Sequence, residues 1–350
     1  YNLNIRRYAD NAPPPEPQDV RAHLKGGVPV AEIRGKQALF DAHGLDPMAI
    51  FTPRPDDADY VDFADTFADK AELKPAIEGN EGPQAQEMAL HEAFETWWAE
   101  HSPSIVALAN TQGTNGKYLS RLREELLASF RAALLPVGML EAAPVRGIIA
   151  GFWDQTKNDF RTLQARGARG VIDAWRTSIT TALEDSQGNG NQLDHKLVRF
   201  LLSDFVDELE RLQGFHAELD SKIKAAEAQP GEDDDEGGEP DDDGPSEADL
   251  KNWKQTRTQA KKKLKAQQES FEARLNEAVD GLDETAAADL LLQILHDDMT
   301  TLLQRYVREQ RQRVTAAFET WWDKDKVTLG DIEAERDAAA RELQGFLEGR

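Results

Sequence analysis

Apolar residues recur at helical spacing along most of the chain. Their three- and four-residue intervals are typical of one helix face, and they predict helices over 86–101, 118–135, 144–165 and 167–186. Residues 46–83 instead hold many Pro, Asp and Gly, and there we expect irregular structure with short helices. Strand signals almost vanish after residue 10. The pattern therefore predicts a mainly α protein built as a helical bundle.

The first residues have a different pattern. Leu3 and Ile5 alternate with asparagines, as in a half-buried strand, and the prolines at 13–15 end the element because proline lacks the backbone donor that a sheet needs. A lone strand cannot bury its face, so we expect this strand-like segment to complete a sheet formed upstream. Residues 1–27 are thus predicted to be the end of an upstream domain followed by a proline-rich linker.

Two short helices should follow the linker. Asp19 is a plausible N-cap of the first helix, and Gly26 with Gly27 is its predicted stop. A second helix is predicted over 28–45 and ends at Gly44. Residues 28–196 form the predicted helical domain.

Residues 197–282 predict a long antiparallel coiled-coil hairpin. Its two arms carry apolar residues at alternating intervals of three and four, which is the spacing of a packed helical seam. The first seam is Phe205, Leu209, Leu212, His216, Leu219, Ile223 and Ala226, and the second is Leu250, Trp253, Arg257, Ala260, Leu264, Gln267 and Phe271. Between the arms, residues 229–247 contain ten acidic residues, four Gly and three Pro, so we predict a disordered acidic tip.

The region 283–350 is predicted to hold C-terminal helices that pack back on the bundle, the last over 332–347 with Thr328 or Asp331 as its cap. The hexapeptide Ala-Phe-Glu-Thr-Trp-Trp occurs at 93–98 and again at 317–322. On a helix, the Phe lies over both tryptophans. Either this is a shared solution to core packing, or it is an aromatic docking surface whose anchors are Trp97, Trp98, Trp321 and Trp322.

The amino-acid composition of the chain excludes several classes of function. The formal net charge is −24, so DNA contact over the whole surface is excluded and any such contact must be local. The chain has no Cys, which excludes disulfides, thiolate metal sites and a thiol nucleophile, and which fits a reducing cytoplasm. No apolar run approaches the roughly 20 residues of a membrane span, so no membrane contact is expected. The seven His are scattered without metal-ligand spacing.

Several stretches carry a family resemblance. Residues 1–10, Tyr-Asn-Leu-Asn-Ile-x-Arg-Tyr-x-Asp, resemble the stretch just beyond the catalytic domain in modification (M) subunits of type I restriction–modification systems, which are N6-adenine DNA methyltransferases. The resemblance extends through 19–24, 148–154, 193–199 and 321–337. It implies a bacterial cytoplasmic protein that docks on the specificity (S) subunit, works with the restriction (R) subunit, and contacts DNA through that complex.

Methyl transfer in that family needs a glycine-bearing loop for S-adenosylmethionine and an Asn/Asp-Pro-Pro-Tyr/Phe tetrapeptide that grips the flipped base. The only consecutive prolines here are Pro13, Pro14 and Pro15, and no aromatic residue follows them. We therefore predict no catalytic, cofactor-binding or metal-binding residue in this chain. The methyl donor would be held by a catalytic domain elsewhere.

Basic residues cluster on the second hairpin arm, where Lys261, Lys262 and Lys263 are consecutive. One interpretation is ion pairing with the acidic first arm, and the other is contact with DNA phosphates, helped by Arg6 and Arg7. Three successive residues surround a helix, so these lysines cannot all face the other arm. At the start of the first arm, Asp194 is the predicted helix cap.

Two other functions stay open beside the assembly and DNA-clamp region of an M subunit. One is a stand-alone helical coiled-coil adaptor or scaffold, in which the hairpin binds other proteins. The other is a DNA mimic that inhibits nucleic-acid enzymes, suggested by the charge of −24. A methyltransferase domain encoded before Tyr1 would favour the M subunit, whereas a start codon there would favour the adaptor.

Overall fold

A computed structural model describes residues 18–111, 117–184, 192–228, 246–326 and 328–348, and in these ranges the protein is mainly α, as predicted. The helices are α1 Val20–Lys25, α2 Val30–Gly35, α3 Gln37–His43, α4 Leu73–Glu78, α5 Glu81–Val106, α6 Lys117–Leu134, α7 Ala142–Glu184, α8 Lys196–Leu201, α9 Ser203–Glu227, α10 Glu247–Asp280, α11 Glu284–Trp321 and α12 Leu329–Glu348.

The chain forms two compact units that interleave along the sequence. Unit 1 comprises Tyr1–Glu100, Glu125–Gly151 and Thr300–Arg350, and unit 2 comprises His101–Glu124 and Phe152–Met299. The predicted domains, in contrast, follow one another along the chain. The difference arises because long helices such as α7 and α11 supply residues to both cores, which no boundary signal in the sequence marks.

Unit 1 contains a small antiparallel sheet that the sequence did not predict. Its strands are β1 Val28–Pro29, β2 Phe51–Pro53 and β3 Tyr60–Phe63, in the order β1-β3-β2, with Val28 opposite Val61 and Phe51 opposite Phe63. Residues 28–45 are predicted as helix and residues 46–83 as irregular structure with short helices, so no pattern in the sequence indicates these strands. Strands of two to four residues are too short to show a period of two, and prolines at their ends obscure them further.

Helices α1 to α3 confirm some predictions and correct others. Asp19 caps α1 by accepting from the backbone N–H groups of Arg21 and Ala22, and Gly26 ends it with a φ of 72°. The predicted helix over 28–45 is instead β1, α2 and α3. Its predicted end is confirmed, because Gly44 takes the left-handed conformation with a φ of 64°.

The core of unit 1 is aromatic. The Phe40 ring of α3 lies 5.2 Å from the Phe318 ring of α11, and Phe51 of β2 lies 5.4 Å from Phe318. Phe51 and Phe63 pack across the sheet at 4.9 Å. These contacts bury one face of a sheet that is too small to be stable alone, so α11 is the element that stabilises it.

In unit 2, α7 is broken at Gly167, which has a φ of 75° and a ψ of −179°. This matches the predicted boundary between helices at 165 and 167. The N–H of Ala168, just beyond the break, donates to Glu284 at 2.8 Å, and Arg169 donates to the carbonyl of Leu282. Glu284, the first residue of α11, therefore supplies a cap at the start of the second half of α7.

Helices α9 and α10 of unit 2 form an antiparallel pair. Phe205 stacks on Phe271 at 5.8 Å, and Arg257 donates to Asp220 at 2.8 Å, so residues from opposite ends of the helices meet. Every predicted seam position on both helices is buried or half-buried. The antiparallel packing is thus established, whereas supercoiling of the pair into a coiled coil stays a prediction.

Helix α10 begins at Glu247, the last residue of the predicted disordered tip. Residues 229–245, like the predicted strand at 1–10, lie outside the described residues. Ser246 and Glu247 were included in the predicted disordered tip, but Ser246 is the N-cap of α10 and forms a reciprocal capping box with Asp249. Helix α12 begins at Leu329, three residues before the predicted start, and contacts α1.

Candidate partner and nucleic-acid interface

The first tryptophan pair lies on α5. Trp97 is buried in unit 1, its indole N–H donates to the Ser129 hydroxyl at 2.8 Å, and its ring meets Phe130 edge-on at 5.0 Å. The neighbouring Trp98 is half-buried and packs 6.4 Å from Phe94. A buried tryptophan with a satisfied N–H is a core residue. The burial of Trp97 favours the core-packing alternative, and its role as a docking anchor stays a prediction.

The second pair lies where α11 ends. Trp321 is fully buried, meets Phe318 edge-on at 5.7 Å, and donates from its indole N–H to Glu32 at 3.0 Å. Trp322 is half-buried against Phe63 at 4.8 Å. Trp321 therefore packs in the core as well, and its docking role stays a prediction. A docking role for Trp98 and Trp322, which keep partial exposure, stays a prediction.

Two groups of basic residues on α10 differ in their ion pairing. Lys254 pairs with Glu227 of α9 at 2.7 Å, and Arg257 pairs with Asp220, so the predicted pairing between the arms occurs at these positions. Hydrogen bonds from Lys224 and then Arg257 lower the pKa of Asp220 below its ordinary value. Solvent screens pairs as exposed as these, so they add little to the stability of the protein.

Lys261, Lys262 and Lys263 form the second group. All three side chains are exposed, and none has an ion-pair partner among the residues that the structure describes. They follow one another around the outer surface of α10 in unit 2. The predicted helpers Arg6 and Arg7 lie outside the described residues, so within those residues Lys261, Lys262 and Lys263 are the candidate DNA-contact residues.

Helix α12 has an apolar face that no described residue covers. Four large side chains on it are between 49% and 74% exposed: Leu329, Ile332, Leu343 and Phe346. At 100° of rotation per residue they fall within a sector of about 100°, which is the width of a stripe that normally faces a core. An exposed stripe of this kind is a candidate interaction surface.

Three charged groups that the sequence analysis missed meet where α11 ends. Lys324 contacts Glu32 of α2 at 2.5 Å, and their side chains are only 9% and 8% exposed. Asp325 is buried, and its carboxylate lies 3.7 Å from the Lys324 ammonium, too far for a hydrogen bond. Burial raises the pKa of Asp325 to about 6. Because the residues lie 292 positions apart, no local sequence signal links Glu32 to Lys324.

The predicted cap of α8 was also wrong by one residue. His195 is the N-cap, and its Nδ1 accepts from the N–H of Leu197 at 3.1 Å. Asp194 is exposed and lies 3.6 Å from Arg199. Burial lowers the pKa of His195, which keeps the imidazole neutral and able to accept this bond. His216 lies half-buried on the α9 seam.

Searches for other kinds of site gave negative results within the described ranges. No group of three or more His, Asp and Glu residues lies close enough together to hold a metal ion there. None of the helices in those ranges has both the length and the hydropathy to cross a membrane.

Comparisons with protein-family models, with curated proteins and with solved structures find no match to this chain.

Proposed function

We propose that this chain is the C-terminal assembly and DNA-clamp region of a type I restriction–modification methyltransferase M subunit. The observation that carries the proposal is the apolar stripe of α12, because an M subunit must dock on its S subunit through an exposed surface. The resemblance at residues 1–10 and in the four later stretches supports the same family. In this proposal α12 is the docking helix and the α10 lysines contact DNA phosphates.

Binding to the S subunit tests the docking role. The full chain should bind its purified S subunit in analytical ultracentrifugation, and Leu343→Glu/Phe346→Glu should weaken binding about a hundredfold or more, because two anchors lose their burial. Both side chains are exposed, so the fold should persist. The control is Arg341→Glu, which makes the same charge change on the opposite side of α12. Wild-type affinity in the double variant would refute the docking role of α12.

If α10 clamps DNA, three of its lysine side chains should contribute to DNA affinity in a way that depends on salt. In the complex with the S subunit, replacing Lys261, Lys262 and Lys263 by Gln should reduce the slope of log affinity against log salt by up to about 2.7, because each phosphate contact contributes about 0.9. A matched control replaces three basic residues of α9 that pair with acids on their own helix, Arg211, Lys222 and Lys224. Equal slopes in wild type and the α10 variant would refute the phosphate contact.

Because methyl transfer is assigned to a catalytic domain elsewhere, we expect that the chain alone does not methylate DNA. S-adenosylmethionine would be bound by the catalytic domain of the M subunit, and radiolabelled methyl transfer by the isolated chain to adenine-containing duplexes should stay at background. Methyl transfer by this chain alone would contradict the proposal.

A stand-alone helical adaptor is the second candidate, and the stripe of α12 supports it too, since any amphipathic helix partner could cover it. The S-subunit experiment separates the two functions. An adaptor has no reason to bind an S subunit, and loss of the α12 stripe would then abolish binding to a different protein.

A further inference from the structure

Between α11 and α12 the chain forms a π-helical turn, Trp322–Lys326, which we call the joint. The joint contacts α1 and β3 of unit 1. The carbonyl of Lys324 lies 3.3 Å from Nδ1 of His23, and Gly26 approaches Thr328 so closely that a Cβ would meet the threonine methyl at 2.9 Å. The joint thus fastens the start of α12 to α1.

The Asp325 carboxylate in the joint is buried without a hydrogen-bond partner in the described part of the chain, which disfavours its ionised form. Both oxygens of Asp325 are inaccessible to solvent, and neither has a hydrogen-bond partner among the described residues. Its neighbour Lys324 is engaged with Glu32 at 2.5 Å, and Glu32 also accepts from Trp321. Two carboxylates therefore share one buried ammonium. An ionised Asp325 has neither water nor a full partner in the closed joint.

The other charges around Asp325 do not supply the missing partner. His23 of α1 faces it and favours the ionised carboxylate when protonated, whereas Glu32 of α2 opposes ionisation. The small cavity beside the joint is also lined by side chains of both signs: Lys25, Arg54, Asp62, Asp65 and Lys326. Of these, Arg54 already makes two hydrogen bonds to Asp62, each at 2.7 Å.

We propose that the joint is a proton-linked latch, in which neutral Asp325 holds the start of α12 against α1 and ionised Asp325 favours release into water. The reaction is balanced: opening exposes the carboxyl group, which then gives its proton to solvent. The latch would regulate how firmly α12 is held, so its biological use rests on the proposed docking function. The latch itself does not depend on that function.

The difference between the pKa values of Asp325 in the closed and open joint sets the pH range over which the latch opens. The carboxyl group has a pKa of about 6 in the closed joint and 3.8 when free in water. Opening releases a proton between these values, so the opening equilibrium should rise about tenfold per pH unit from about pH 4 to pH 6 and then level off. The total change is about 150-fold, the ratio that this pKa difference of about 2.2 implies.

Hydrogen exchange of the full chain tests the latch. Peptides covering 318–332 and 20–28 are followed by mass spectrometry from pH 4 to pH 8, with times corrected for the intrinsic exchange rate. Wild-type opening should show the rise and the plateau. Asp325→Asn should abolish the pH step and remain about 100-fold more closed at pH 7, because its amide stays neutral. The control is Asp323→Asn, an exposed residue of the same turn, which should retain the step.

Two outcomes would overturn the latch: wild-type exchange at the joint that does not change between pH 4 and pH 6, or an unchanged step in Asp325→Asn. The wild-type profile decides the matter even where the variant folds poorly. His23→Gln should keep the step, and its loss would assign the titration to His23 instead. Failure of S-subunit binding with an intact step would refute the docking function and leave the latch standing.

Discussion

Replacing Lys324 by Met removes the ammonium that contacts the buried Glu32 carboxylate. The two groups are 2.5 Å apart, and less than a tenth of each side chain is exposed. Removing one partner of a buried pair leaves an uncompensated charge and destabilises by about 3–5 kcal/mol. Met has nearly the length of Lys, so little of this loss should come from an empty volume.

A second substitution, at Glu32, separates the effect of the lost charge from the effect of lost packing. Glu32→Gln removes the stranded charge but keeps an oxygen that accepts from the Trp321 N–H, now 3.0 Å away. Lys324→Met/Glu32→Gln should therefore be only about 1 kcal/mol less stable than wild type, so that within the double-mutant cycle Glu32→Gln restores about 2–4 kcal/mol of the stability that Lys324→Met loses. Repeating the cycle with Asp325→Asn removes the second carboxylate from the comparison.

Native-state hydrogen exchange at pH 7 measures the local free energy of opening in peptides covering 314–326. This readout is confined to unit 1, so it does not require the whole chain to unfold in one step. A stabilising role of the Lys324–Glu32 pair is refuted if Lys324→Met is as stable as wild type. It is equally refuted if Glu32→Gln fails to restore stability, because the loss would then come from packing alone.

Three further changes have defined outcomes. Glu284→Ala should lower the local stability of 168–184 by about 0.5–2 kcal/mol in hydrogen exchange, because the N–H of Ala168 loses its acceptor, and Glu284→Gln should lose less; equal losses would contradict the capping role. Burial lowers the pKa of His43, so its contribution to stability is complete above about pH 6.5 and is lost as the pH falls below that value. His43→Gln should therefore flatten the change in unfolding free energy between pH 7.5 and pH 5 relative to wild type, and an unchanged slope would show that another group titrates. Trp97→Phe should cost about 1 kcal/mol through its lost bond to Ser129, whereas Trp97→Ala should cost about 3–5 kcal/mol in urea denaturation; a stable Trp97→Ala variant that lost partner binding would restore the docking interpretation.

The long helices were predictable because their signal is repeated many times. The seam of α9 and α10 extends over fourteen predicted positions from Phe205 to Phe271, and each is buried or half-buried. A single misleading residue, such as Arg257, does not hide such a pattern. The break in α7 was predictable for a local reason, since Gly167 interrupts the apolar spacing.

The small sheet and the joint were not predictable, because both depend on residues that are distant in sequence. Phe51 is buried in its strand by Phe318, more than 260 positions away. Asp325 follows Lys324 in a stretch that looks like an ordinary polar link, and only the fold places Glu32 beside them. Trp97 and Trp321 are a second example, because the sequence pattern of an aromatic pair is the same in a core and in an interface.

The cap that Glu284 provides for α7 has a consequence for biosynthesis. The acceptor lies 116 residues after Ala168, the residue that it caps. A chain leaving the ribosome must therefore expose α8, α9 and α10 before the second half of α7 can acquire its native start. Unit 2 cannot be completed in the order in which it is translated, and a nascent chain arrested before residue 284 should hold that half-helix without its native cap.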